Sequence, residues 1–202
     1  MPTNSPYAGV PASKLLDTTR RLIGEHPLKA AEIVEVVQRS WADIFASSFG
    51  PKGFKIGTDI FPKPQIMGFF LHELIPLELA TRYPKLWRPE KDASDKDVNF
   101  IPDPRFSFEI KTSSHKSDIF GNRSYAQETV RGDKKSKSGF YLTVNFGKFG
   151  TSAAQPTLTR IRFGWLDHTD WIGQAAASGQ QAHLTSDADQ HKLIELHPKS
   201  QL

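Results

Sequence analysis

Apolar residues recur at three-to-four spacing through the first part of the chain and at every second position through much of the rest. Ser13 opens a stretch that predicts a helix to about Ile23. Pro27 opens a second, in which Ile33, Val37, Trp41, Ile44 and Phe45 share one face and Gly50 stands ready to end it. The segment from Ile66 to Ile75 is apolar nearly all round, the pattern of a centrally buried helix, interrupted by Glu73 and followed by Glu78. Pro76 is expected to kink it or to begin another short helix. From Asp97 the period becomes two, predicting strands over 97–101, 106–112, 139–147 and 158–165. A last helix is expected from Asp170 to Ala177, and a short strand over 192–196. Residues 1–11 hold three prolines and read as a mobile arm. Helices first, strands second and no internal repeat predict an α/β (α+β) fold, a mixed central sheet flanked by helices. Residues 1–60 would form an N-terminal arm and helices, available for dimerisation, and 61–202 the core.

The two-faced character is sharpest in the segment Phe106 to Ser113. Phe106, Phe108 and Ile110 point one way, and Ser107, Glu109, Lys111 and Ser113 the other. Asp97 to Ile101 alternates as well, and Pro102-Asp103-Pro104-Arg105 between them is turn chemistry, so a hairpin is predicted. A turn centred on Asp103 sets Asp97 across from Glu109, on the face that carries Lys111. Facing carboxylates repel, which gives a purely structural sheet little reason to pair them. A cation resolves the conflict. Mg²⁺ prefers oxygen ligands and takes one or two carboxylates together with a substrate phosphate, the set needed to hydrolyse a phosphodiester. Lys111 alongside suits a catalytic base or a stabiliser of charge developing on the phosphate. Asp95 and Asp103 are alternatives to Asp97, although Asp103 sits in the turn itself. The competing reading is a solvent-exposed hairpin face with ordinary surface charges.

Composition narrows the chemistry further. Length 202 is enough for an independently stable core, and the absence of Cys excludes disulfides, thiolate nucleophiles and cysteine-ligated zinc. His183, His191 and His197 match no zinc spacing, and there is neither a Gly-x-Ser-x-Gly elbow nor a phosphate-binding loop motif. No apolar run approaches the roughly 20 residues of a membrane span, and the first residues do not resemble a signal peptide, so a cytoplasmic protein is expected. The net charge is +4, and the segment Lys111 to Lys137 carries seven bases against three acids, equal to that whole excess. Such a segment suits DNA. Ser113, Ser114, Lys116, Asn122, Arg123, Ser124, Tyr125 and Gln127 offer groups for base edges and phosphates, and Lys135 and Lys137 suit phosphate steering.

At Asp97 and Glu109-Ile110-Lys111 the chain resembles the PD-(D/E)xK nuclease superfamily. More closely, over roughly residues 65–197, it resembles the ScaI family of type II restriction endonucleases. That likeness rests on Phe100-Ile101-Pro102-Asp103, Glu109 to Ser114, Gly121 to Tyr125, Lys135 to Gly139, and Ile161 to His168. It implies a restriction-endonuclease-like core and a homodimer cutting both strands of a short palindromic site in double-stranded DNA with Mg²⁺. A DNA methyltransferase acting on the same site is implied as well. Superfamily members often recruit a further acid from a preceding helix, and Glu73 is the candidate here. One departure is that the Pro-Asp pair and the preferred metal acid are different residues. A repair or junction nuclease on the same core and a non-catalytic nucleic-acid-binding module are the alternatives.

Overall fold

The two periodicities become two kinds of layer. A computed structural model describes residues 5–127, 136–150, 155–176 and 178–197. After a 3₁₀ turn at Ala12–Lys14 come α1 (Leu15–Glu25) and α2 (Ala30–Ala46), a small hairpin of β1 (Ser48–Phe49) and β2 (Phe54–Lys55), and α3 (Pro64–Arg82). The remaining strands are β3 (Trp87–Pro89), β4 (Val98–Phe100), β5 (Phe108–Ser113), β6 (Phe120–Asn122), β7 (Gly139–Phe146), β8 (Leu158–Leu166), β9 (Trp171–Gly173), β10 (Gln181–Leu184) and β11 (Leu193–His197). The main sheet has the order β11-β8-β7-β5-β4-β3, with β5 and β7 parallel and the other neighbours antiparallel. The mixed sheet expected from the sequence is therefore present. A second sheet, β6-β10-β9, is smaller and entirely antiparallel. Among the described residues no helix is long and apolar enough to cross a membrane.

Alternation sorts the main sheet into an apolar and a polar face. Phe108 and Ile110 of β5, Phe140, Leu142 and Val144 of β7, and Ile161 and Phe163 of β8 join α2 and α3 in one core. The opposite positions bring Glu109 beside Tyr141 and Lys111 beside Thr143 across the β5–β7 pair, and Thr143 beside Arg162 across β7–β8. This polar face is covered. Glu109, Thr143, Asn145 and Arg162 are all at most 1% exposed, and a second apolar cluster containing Tyr125, Tyr141, Trp171 and Ala182 packs over part of it. Arg162 meets the cost of burial by donating to Asp189 at 2.6 Å and to the Ser117 carbonyl at 3.0 Å.

Several local expectations are corrected. Helix α2 ends at Ala46, where the Ser47 hydroxyl turns back onto the Asp43 carbonyl, and Gly50 (φ +66°) serves the β1–β2 turn instead. Pro76 does not start a separate helix, because it is buried within one continuous element whose packing outweighs the missing backbone donor. Helix α3 comes close to β5 at Gly68, where a Cβ would lie 2.5 Å from Thr112 Oγ1. The described part of the stretch expected as a helix, 170–176, is not one. A 3₁₀ turn at His168–Asp170 leads into β9, where Trp171 pairs with Leu184, a tertiary contact that local pattern does not reveal.

His26 supplies a pH test of the core. It is fully buried against the edges and faces of Phe106, Phe140 and Phe163, with Nδ1 accepting from Leu28 N–H and Nε2 facing the Phe106 carbonyl. Burial pushes its pKa down to about 4. The unfolded chain, with an ordinary histidine, takes up this proton first as pH falls. Its stabilising contribution is therefore complete above about pH 6.5 and is lost on acidification toward pH 4, a change of about 3 kcal/mol. Urea unfolding at pH 7 and pH 4.5 should show this loss in the parent and a clearly smaller one in His26→Gln. Equal losses in the two proteins would refute the assignment.

Candidate active site

The hairpin pivots where the sequence places it, since Val98 pairs with Phe108, symmetrically about Asp103. Pro104–Phe106 forms a 3₁₀ turn, so the strand begins at Phe108 rather than 106. Val98–Phe108 is the pair that joins β4 to β5, and β5 runs on beyond it. Asp97, just before β4, reaches along this stretch, with Oδ2 accepting the Ile110 N–H at 2.6 Å. Its carboxylate is thus fastened to the backbone between Glu109 and Lys111.

Glu109 is 1% exposed, which rules out the reading of solvated surface charges. Burying a carboxylate costs several kcal/mol without compensation, and here cations and a hydroxyl surround it. Lys96 Nζ lies 3.4 Å from Oε1, Lys111 Nζ 3.9 Å from Oε2, and the Tyr125 hydroxyl donates to Oε2 at 3.2 Å. Lys96 also donates to the Ser136 and Ser138 carbonyls. His72 on α3 places Nδ1 3.7 Å from Asp97 Oδ2. His72, Glu73, Glu90 and Asp97 line a cleft of about 240 Å³.

The alternative acids are engaged elsewhere. Asp95 takes both Arg88 nitrogens at 2.5 and 2.9 Å, and that guanidinium pulls its pKa down to about 2. Asp103 caps the turn and pairs with exposed Arg105, which lowers its pKa. Among the described residues no group of three or more His, Asp or Glu side chains is arranged to hold a metal ion, so Glu73 shares Asp97's cleft without completing such a group. Two carboxylates with oxygen-only chemistry nevertheless fit Mg²⁺, which keeps several waters and leans on substrate phosphate.

The expected DNA-contacting residues divide. Ser114, half-buried, lines a groove of about 540 Å³ together with Gln65, His115, Lys148 and Gln181. His72 lines both this groove and the cleft, so the two adjoin. Lys116, Asn122, Ser124 and Gln127 are exposed, with Asn122 at the end of β6 in the small sheet. Ser113 is buried, its hydroxyl accepts the His115 N–H at 3.0 Å, and it lines the same groove as Ser114. Arg123 donates to the Ala176 and Gly179 carbonyls and so closes the β9–β10 connection. Tyr125 is buried, which replaces the expected DNA contact with a place beside Glu109. Lys137 is half-buried over the Tyr125 ring, and Lys135 lies outside the described residues.

Lys96 and His72 were missed from sequence. Neighbours in a regular strand point to opposite faces, so Lys96 reads as turned away from Asp97 and its partners. Both residues precede β4, where the chain is irregular, and the rule does not apply. His72 has no spacing partner and is brought in only by α3 crossing the sheet.

Comparison with known proteins gives the same direction. The ScaI restriction endonuclease family model matches residues 5–197. A curated relative named Type II restriction enzyme ScaI, from Streptomyces caespitosus, is 45% identical over 200 residues, covering 98% of this chain and 87% of the relative. The match takes in the N-terminal helices, which the motif blocks alone had left outside.

Proposed function

The chain belongs to the ScaI restriction endonuclease family, and from that premise we propose that it cuts both strands of a short palindromic DNA site by Mg²⁺-dependent hydrolysis, with Asp97, Glu109 and Lys111 as its catalytic set. The observation that carries the assignment is the buried Glu109 carboxylate, with Lys111 on its own strand and Asp97 hydrogen-bonded to the intervening Ile110 N–H. Asp97 and Glu109 would hold the metal, with Glu73 at the cleft rim as a further oxygen donor. When bound, Mg²⁺ supplies charge neutralisation at the scissile phosphate and a lowered pKa for an attacking water.

The protein's own groups do the rest. The Lys111 ammonium donates to phosphate oxygens as negative charge builds on them. The Tyr125 hydroxyl and Lys96 fix the Glu109 carboxylate, so that its orientation is set before substrate arrives. The duplex runs from the cleft past His72 into the adjoining groove, where Ser114, Gln181 and Lys148 reach it together with Lys116, Asn122, Ser124 and Gln127 on nearby surfaces. Two copies related by a twofold axis would match the symmetry of a palindrome. In the cytoplasm, a methyltransferase of the same specificity would protect the host's own sites.

Plasmid digestion with and without Mg²⁺ tests this reading. Discrete fragments that require the metal are the expected result. Cuts confined to mismatches or junctions would favour a repair nuclease, and salt-sensitive binding with no cutting would remove the enzyme.

A further inference from the structure

Tyr125 touches more than one member of the site. Besides its hydroxyl contact to Glu109, its ring lies under two ammonium groups, with Lys111 Nζ and Lys137 Nζ each 4.4 Å from the centroid. The ring is wedged against Trp171 and Tyr141, at centroid distances of 5.4 and 6.3 Å, and so presents a fixed face. We propose that Lys137 is a second catalytic lysine, and that Tyr125 is a positioning residue that sets Lys111 and Lys137 as a pair of cations on the scissile phosphate. The proposal rests on the assignment of Lys111 to the reaction.

Three observations support it. The first is the way Lys137 is mounted. The carbonyls of Ser136 and Ser138 accept from Lys96, and the carbonyl of Lys137 itself accepts from the Tyr141 hydroxyl at 2.6 Å. Three successive backbone groups are thus fastened to residues that face Glu109. A lysine whose task is long-range steering works from a flexible surface arm and needs no such anchoring. Groups that act on a reacting centre gain from being held in place.

Spacing is the second. Two Nζ atoms that share one ring at 4.4 Å lie no more than about 9 Å apart. A phosphate accepting one charge-assisted contact of about 2.8 Å at each of two non-bridging oxygens fills an interval of that order. The third is charge. Lys96 and Lys111 face one buried carboxylate, Lys137 lies over the ring of the tyrosine that donates to it, and Asp97, just before β4, accepts the Ile110 N–H. Cations held at one aromatic ring gain from the ring quadrupole but repel each other, and an anion that contacts both converts that repulsion into attraction. A phosphodiester, gaining charge as it is attacked, is such an anion, and the attraction strengthens as the reaction proceeds.

Single-turnover cleavage at saturating DNA separates this role from steering. Lys137→Gln is expected to lower the saturated rate by about 10²-fold while leaving DNA affinity within about threefold, and Lys137→Arg to recover part of the rate. Combining Lys111→Gln with Lys137→Gln should cost less than the product of the two single losses, because the residues act on one group. Tyr125→Phe keeps the ring and should lose less than Tyr125→Leu, which removes the shared ring. A Lys137→Gln protein that cuts at the parental rate once DNA saturates, with its defect confined to affinity and salt dependence, overturns the proposal. Circular dichroism checks that Tyr125→Leu folds, and if it does not, the Lys137 pair decides the matter alone. A normal rate from Lys111→Ala would overturn the site assignment itself, an outcome distinct from failure of Lys137.

Discussion

Lys111→Ala and Asp97→Ala are expected to bind target DNA within about tenfold of the parent and to cut it at least about 10³-fold more slowly. The separation follows from where the two kinds of energy arise. Affinity for a duplex is spread over many phosphate contacts, so one lost ammonium changes it little. Rate depends on the few groups that meet developing charge, and a 10³-fold loss corresponds to about 4 kcal/mol of transition-state stabilisation. Lys111→Ala should fold, because Glu109 keeps Lys96 and the Tyr125 hydroxyl as partners. For Glu109 itself Gln is the better replacement, since Ala would leave two half-buried lysines around an empty space. Binding is measured without Mg²⁺ and cleavage under single-turnover conditions. Normal cutting by Asp97→Ala would send the metal role to another acid, although Asp95 and Asp103 are already held by Arg88 and Arg105.

Gly164→Ala should cost at least about 3 kcal/mol and detach the C-terminal strand, although it adds only one methyl group. Gly164 sits in β8 between Tyr141 of β7 and Leu193 of β11. A Cβ there would lie 1.9 Å from the Lys192 carbonyl oxygen and 2.9 Å from its carbon, and both are backbone atoms with no rotamer to escape into. The backbone it would displace is tied down. Lys192 Nζ pairs with both Asp170 oxygens at 2.7 and 2.9 Å, and the neighbouring His191 carbonyl accepts from Thr19 of α1 at 2.7 Å. The substitution therefore sets one methyl against a buried ion pair and a helix contact together. Urea denaturation gives the measurement, and a Gly164→Ala protein within about 0.5 kcal/mol of the parent would show that β11 can move aside cheaply.

Gly164 also explains part of what the sequence revealed without explaining. The run Ile161 to His168 carried family resemblance, and each of its positions has its own physical demand. Ile161 and Phe163 enter the helix-side core, Arg162 is fully buried among polar partners, Gly164 admits a crossing backbone, and Asp167 caps the following turn. Demands of that kind restrict residue choice position by position, which is why the likeness was visible there.

By itself, the chain determined what local chemistry determines. Period-two alternation marked β5 and its two faces, proline and aspartate fixed a turn centred on Asp103, and the acid-then-lysine order marked the candidate site. Those signals are local because a strand's side chains alternate whatever lies above them. Only the tertiary structure decided what covers each face. The polar side of β5 carries Glu109 under Tyr125 and Lys96 rather than under water, α3 delivers His72, and Trp171 joins a strand where helix was expected. Each of these depends on residues 13 to 25 positions apart meeting in the fold. Their contact energies outweigh local preference, and spacing along one strand carries no record of them.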